Sequence, residues 1–118
     1  MFIIQSYTQI NEFQIESQIY DSYETIFNRQ PSQLEIENLK NEIINEKKSI
    51  DTIREELMTS TEGIVTKQIT DIYETILLRD PDSQGLIHWK NAMINDGKTI
   101  NWVEEMIRNS IEIRSLNN

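Results

Sequence analysis

Residues 18–63 align with residues 68–113 at an offset of 50 without a gap, and 18 of the 46 positions are identical. The clearest block sets Tyr23-Glu24-Thr25-Ile26 against Tyr73-Glu74-Thr75-Ile76, followed by Arg29 with Arg79, Pro31 with Pro81 and Lys40-Asn41 with Lys90-Asn91. Ser60 and Glu62 match Ser110 and Glu112 near the far end. A chain that carries one pattern twice must fold a unit of about fifty residues two times over. Units that short bury little surface alone, so the expected solution packs them together, as tandem helical repeats do.

Each copy reads as three helices. Ile19, Tyr23, Ile26 and Phe27, then Ile69, Tyr73, Ile76 and Leu77, fall on one face at helical spacing. Pro31 and Pro81 end that helix, and Ser32 or Asp82 stands where the next one needs an N-cap. The second helix carries Ile36, Leu39 and Ile43 against Leu86, Trp89 and Met93. Asp96-Gly97 supplies a left-handed stop in the second copy, where the first has the less suitable Lys47. After Ser49 or Thr99 the third helix carries Ile50, Ile53 and Leu57, or Ile100, Val103 and Ile107. No stretch alternates as a half-buried strand does. The expectation is an all-α fold, two tandem three-helix repeats packed into one small helical domain. Residues 1–17 form an N-terminal arm and the start of the first helix, which reaches back to about Asn11. Residues 18–63 are the first repeat, and 64–118 the second with a short tail.

Charge narrows the partners. Twenty acids face eleven bases for a net charge of −9, and phosphate backbones and anionic membranes call for the opposite balance. Without cysteine there is no disulfide and no thiolate nucleophile. No apolar run approaches the ~20 residues of a membrane span, and Met1-Phe2-Ile3-Ile4 lacks the basic region of a secretory signal. The protein is therefore expected to stay inside the cell that makes it, or to be packaged in a virus particle. Twenty-one isoleucines and eleven asparagines against the single Ala92 suggest an AT-rich genome.

The second copy resembles a known family. Tyr73, then Leu77-Leu78-Arg79-Asp80-Pro81-Asp82, Gly85-Leu86-Ile87-His88-Trp89, the Asp96-Gly97 loop and Ser110-Ile111-Glu112 look like the signature of the domain of unknown function 4214. Leu78 stands where that pattern has glycine, and Ile113 where it has phenylalanine. The first copy keeps Tyr23, Arg29, Pro31, Ser60 and Glu62, but has Ser32, Glu35 and Leu39 where the pattern has Asp, Gly and Trp. The resemblance implies a helical, non-enzymatic module seen in surface, secreted and viral proteins. It marks Tyr23, Arg29, Pro31, Tyr73, Arg79, Pro81, Asp82, Gly85 and Trp89 as repeat-signature residues with structural roles, and it transfers no site.

Residues with chemical potential read more simply as structure. His88 is the only histidine, with neither a second histidine nor a cysteine to share a metal or a triad. Asp80-Pro81-Asp82-Ser83-Gln84-Gly85 resembles the start of a calcium loop, but the twelfth position, which requires glutamate, is Asn91. Asp82 serves as a helix cap, and Arg79 pairs with a nearby acid or a helix-end carbonyl. Glu55-Glu56 and Glu104-Glu105 are adjacent on helices and point about 100° apart, and the three glycines form no phosphate cradle. No catalytic residue, metal or cofactor is expected.

Trp102 is the residue whose position is unexpected. It lies about 120° from the Ile100–Val103–Ile107 stripe, with Met106 one turn along and polar Thr52 as its counterpart. Either the pair packs on the other repeat or the tail, or it anchors a partner. Phe2, Ile3 and Ile4, with Ile111, Ile113 and Leu116 at the other end, offer a second apolar surface that covers the core or docks on another subunit. These features lead to the expectation of a structural or interaction module with protein partners in a larger assembly, a homo-oligomer remaining open. A minor capsid-associated protein of a large DNA virus is the specific case, and a glycan or cell-surface polymer binder is the alternative.

Overall fold

The three helices of the first unit are ordered by where their apolar residues fall. This computed structural model describes residues 2–110, with side chains from residue 12. The fold is all-α, with six helices and no strand among the described residues. The chain divides into two compact units at Thr59–Ser60. In the first, α1 (Phe2–Phe27) packs on α2 (Gln33–Ile44) and α3 (Ile50–Thr59). Ile19, Tyr23, Phe27 and Ile36 form its buried cluster, with Ile15, Ile26, Leu39, Ile43 and Leu57 packed around it. Each fully buried aliphatic side chain contributes about 1.5–3 kcal/mol.

In the second unit α4 (Thr61–Ile72) continues into a π-helical turn (Tyr73–Leu77), and α4 packs on α5 (Ser83–Ile94) and α6 (Ile100–Arg108). Its core is Val65, Ile69, Tyr73, Leu77, Leu86, Val103 and Ile107.

Local rules set most boundaries. Ser32 Oγ accepts from the Glu35 N–H at 3.1 Å while Glu35 Oε1 accepts from the Ser32 N–H at 2.8 Å, a reciprocal capping box. Asp82, Ser60 and Thr99 cap α5, α4 and α6 through the N–H groups of Gly85, Gly63 and Trp102. Helix ends use left-handed residues at matched places, Asn28 (φ 56°) with Leu78 (φ 57°) and Lys47 (φ 59°) with Gly97 (φ 70°). Lys47 thus makes the same turn as the glycine despite its Cβ.

Two boundaries differ from expectation. Helix α1 begins at Phe2 and not near Asn11, so residues 2–10 are helical backbone and not a separate arm. Helix α4 begins at Thr61, because the Ser60 hydroxyl satisfies an N–H of its first turn. Ser60 and Glu62 therefore open the fourth helix, within what the alignment assigned to the end of the first repeat.

Candidate functional site

The second unit gathers most of the signature residues at one place. Asp82 holds the first turn of α5, its carboxylate accepting from the Gly85 N–H at 2.8 Å. A Cβ on Gly85 would lie 2.6 Å from Asp82 Oδ1 and 2.6 Å from the Tyr73 hydroxyl. Glycine therefore leaves room there for the Asp82 carboxylate and the phenol of buried Tyr73, one or both of which a Cβ would displace. One helical turn on, Trp89 Nε1 donates to the same hydroxyl at 3.0 Å. Arg79 closes the far side, its guanidinium 5.3 Å from the Tyr73 ring centroid and donating to the Asp80 carbonyl at 2.9 Å. Pro81 is buried beside them. Tyr73, Arg79, Pro81, Asp82, Gly85 and Trp89 therefore join the end of one helix to the start of the next.

An aromatic row runs outward from this junction. The Trp89 ring meets Trp102 edge-to-face at 6.0 Å and 71°, and exposed His88 meets Trp89 at 4.5 Å and 72°. Trp102 is half-buried against its own unit's core, and the Lys98 ammonium lies 5.1 Å from its ring centroid. Met106 is 45% exposed. Val103 and Ile107, fully within the core, already give α6 its buried face, so Trp102 and Met106 extend beyond what that face needs. Phe2, Ile3 and Ile4 belong to the α1 backbone, but their side chains lie outside the described ones, and Ile111, Ile113 and Leu116 lie outside the described residues.

The first unit solves the same junction with charge. Arg29 reaches Glu35 with two parallel bonds of 2.9 Å and lies 5.2 and 5.3 Å from the Tyr23 and Phe27 rings. Donation from Arg29 holds the Glu35 carboxyl down at about 2, with help from the Ser32 N–H and against the pull of burial. Pro31 is buried here as Pro81 is there. Glu35 replaces Gly85, Leu39 replaces Trp89 and Thr52 replaces Trp102, so no aromatic row forms at the matched positions.

Other interactions were not foreseen from sequence. Arg54 Nε donates to buried Ser22 at 2.9 Å, and Ser22 donates to the Gln18 carbonyl at 2.7 Å. Lys48 spans Glu42 at 2.7 Å and Glu56 at 3.0 Å, and bonding to Glu42 and then Glu56 raises its pKa. Lys40 pairs with Glu16 at 2.9 Å, while the matched Lys90, buried to 9% exposure, pairs with Glu62 at 3.1 Å.

Among the described residues no three His, Cys, Asp or Glu side chains converge as a metal site, and no helix is long and apolar enough to cross a membrane. No family model matches the chain, and neither a curated protein nor a solved structure matches it.

Proposed function

We propose that this protein is a non-enzymatic interaction module that works inside a larger assembly, with Trp102 and Met106 on α6 as an anchor for a protein partner. The observation that carries this reading is the half-buried Trp102, braced edge-on by Trp89 at 6.0 Å beside the 45% exposed Met106. A tryptophan held in place by a neighbour loses little freedom on binding, and such residues dominate interface energetics. The specific case is a minor capsid-associated protein of a large DNA virus. It is supported by the Ile- and Asn-rich composition and by the resemblance of residues 68–113 to the domain of unknown function 4214, whose members include viral proteins. The glycan-binding alternative has less support, because the Lys98 ammonium lies over the Trp102 ring on which a sugar would stack.

The test is quantitative mass spectrometry across a size-fractionated native lysate of the source. Sedimentation with a large particle at fixed stoichiometry is expected, and Met106→Glu should release the protein from it without changing its melting temperature. A protein running free at 14.0 kDa would overturn the assembly reading.

A further inference from the structure

Leu78 is disfavoured where it stands in two independent ways. Its backbone is left-handed at φ 57°, a conformation that crowds the Cβ of an L-residue, and its apolar side chain is 84% exposed. The matched Asn28 adopts φ 56° with a residue type that tolerates it. Folding alone would favour asparagine or glycine at 78. Strain kept in an exposed apolar residue points to a contact outside the fold.

The first unit holds a complementary feature. A groove of about 290 Å³ is lined by half-buried Ile15, Ile43 and Ile44, with Glu12 and exposed Lys47 also in its walls. Lys47 is itself left-handed at φ 59°. Exposed Asp80, two residues from Leu78, carries the charge opposite to Lys47.

We propose that the chain associates head to tail, with Leu78 of one copy entering the Ile15–Ile43–Ile44 groove of another and Asp80 facing Lys47. Two different surfaces of one chain are joined this way, so the contact need not close on itself and can propagate along a row of copies. One leucine in one groove buries far less than a permanent interface requires, so the association is weak and concentration-dependent. The inference deepens the assembly reading by naming a second copy as a partner. It uses residues other than Trp102 and Met106, so the two can fail separately.

Sedimentation velocity on the full chain over a concentration series tests it. The weight-average sedimentation coefficient should rise with concentration for the native sequence. Leu78→Asn should weaken self-association at least tenfold while melting no lower, because asparagine suits the backbone there. Ile44→Glu should do the same from the groove side. Asp80→Lys should weaken association, and adding Lys47→Asp should restore it, a rescue that misfolding cannot imitate. A native chain that stays monomeric into the millimolar range would overturn the proposal, as would undiminished association of Leu78→Asn or failure of the charge swap to rescue.

Discussion

Replacing Gly85 with alanine adds one methyl group at the third residue of α5, where the change would ordinarily strengthen a helix by about 0.5–1 kcal/mol. Here the sign should reverse. The new Cβ would lie 2.6 Å from both Asp82 Oδ1 and the Tyr73 hydroxyl, so one or both must withdraw. Withdrawal of Asp82 removes the α5 cap, worth about 1 kcal/mol. Withdrawal of the phenol removes the 3.0 Å bond from Trp89, worth about another 1 kcal/mol, and disturbs the packing of buried Tyr73. With the helix-propensity gain subtracted, loss of both contacts leaves a net cost of about 1–1.5 kcal/mol. For a cooperative unit of 60–100 residues each kcal/mol lowers the midpoint by about 4–8 °C. The assay is thermal and urea unfolding of Gly85→Ala, Tyr73→Phe and the double variant. Removing the hydroxyl removes half of the clash, so Gly85→Ala should cost less in the Tyr73→Phe background, a coupling of at least about 0.5 kcal/mol. Gly85→Ala melting at or above the native chain, or strict additivity in the cycle, would refute the account of why glycine stands there.

Two further outcomes follow from single residues. Lys47→Gly should raise stability by about 1 kcal/mol in urea titration, since Lys47 holds φ 59° where its counterpart is already Gly97. Glu62→Gln should lower stability by about 1–3 kcal/mol, because the Lys90 ammonium, 11% exposed in its side chain, loses its carboxylate at 3.1 Å. Glu16→Gln, opposite the more exposed Lys40, should cost under about 1 kcal/mol by the same titration.

The helices were legible because their apolar residues recur at the helical period, and Ser32, Asp82 and Thr99 announce the starts they cap. The start of α1 at Phe2 was not, since residues 2–11 carry neither a cap nor an acidic first turn. Glu35 is the more instructive case. It stands where the resembled pattern has glycine, yet Ser32-x-x-Glu35 is itself a capping-box sequence, and Glu35 also holds Arg29. Trp102 lies well off the stripe of α6, but an indole is long enough to reach sideways to Trp89, which a wheel of Cβ directions does not show. The Lys90–Glu62 pair joins residues 28 apart in sequence, beyond the reach of helical periodicity.

The two units stabilise one junction by different physics, and acid should separate them. In the first, Glu35 is held at about 2 in the folded state, against 4.5 when free, chiefly by Arg29. A depressed carboxyl means that the unfolded chain binds more protons, so its contribution is complete above pH 4.5 and is lost as pH falls toward 2. That interval corresponds to about 3 kcal/mol, and solvent screening of a side chain 32% exposed reduces it to about 1–2 kcal/mol. The second unit has Gly85 at that place, and its junction rests on the Tyr73–Trp89 bond, which does not titrate in acid, beside the Asp82 cap of α5. Both tryptophans of the chain, Trp89 and Trp102, lie in the second unit, so indole emission reports that unit alone, while helical circular dichroism reports both. Urea unfolding at pH 3 should therefore lose part of the helical signal before the emission shifts, and Glu35→Gln should lack that added acid sensitivity. Coincident transitions at pH 3 in the native chain would mean that the units unfold as one, and that Glu35 protonation does not weaken the first selectively.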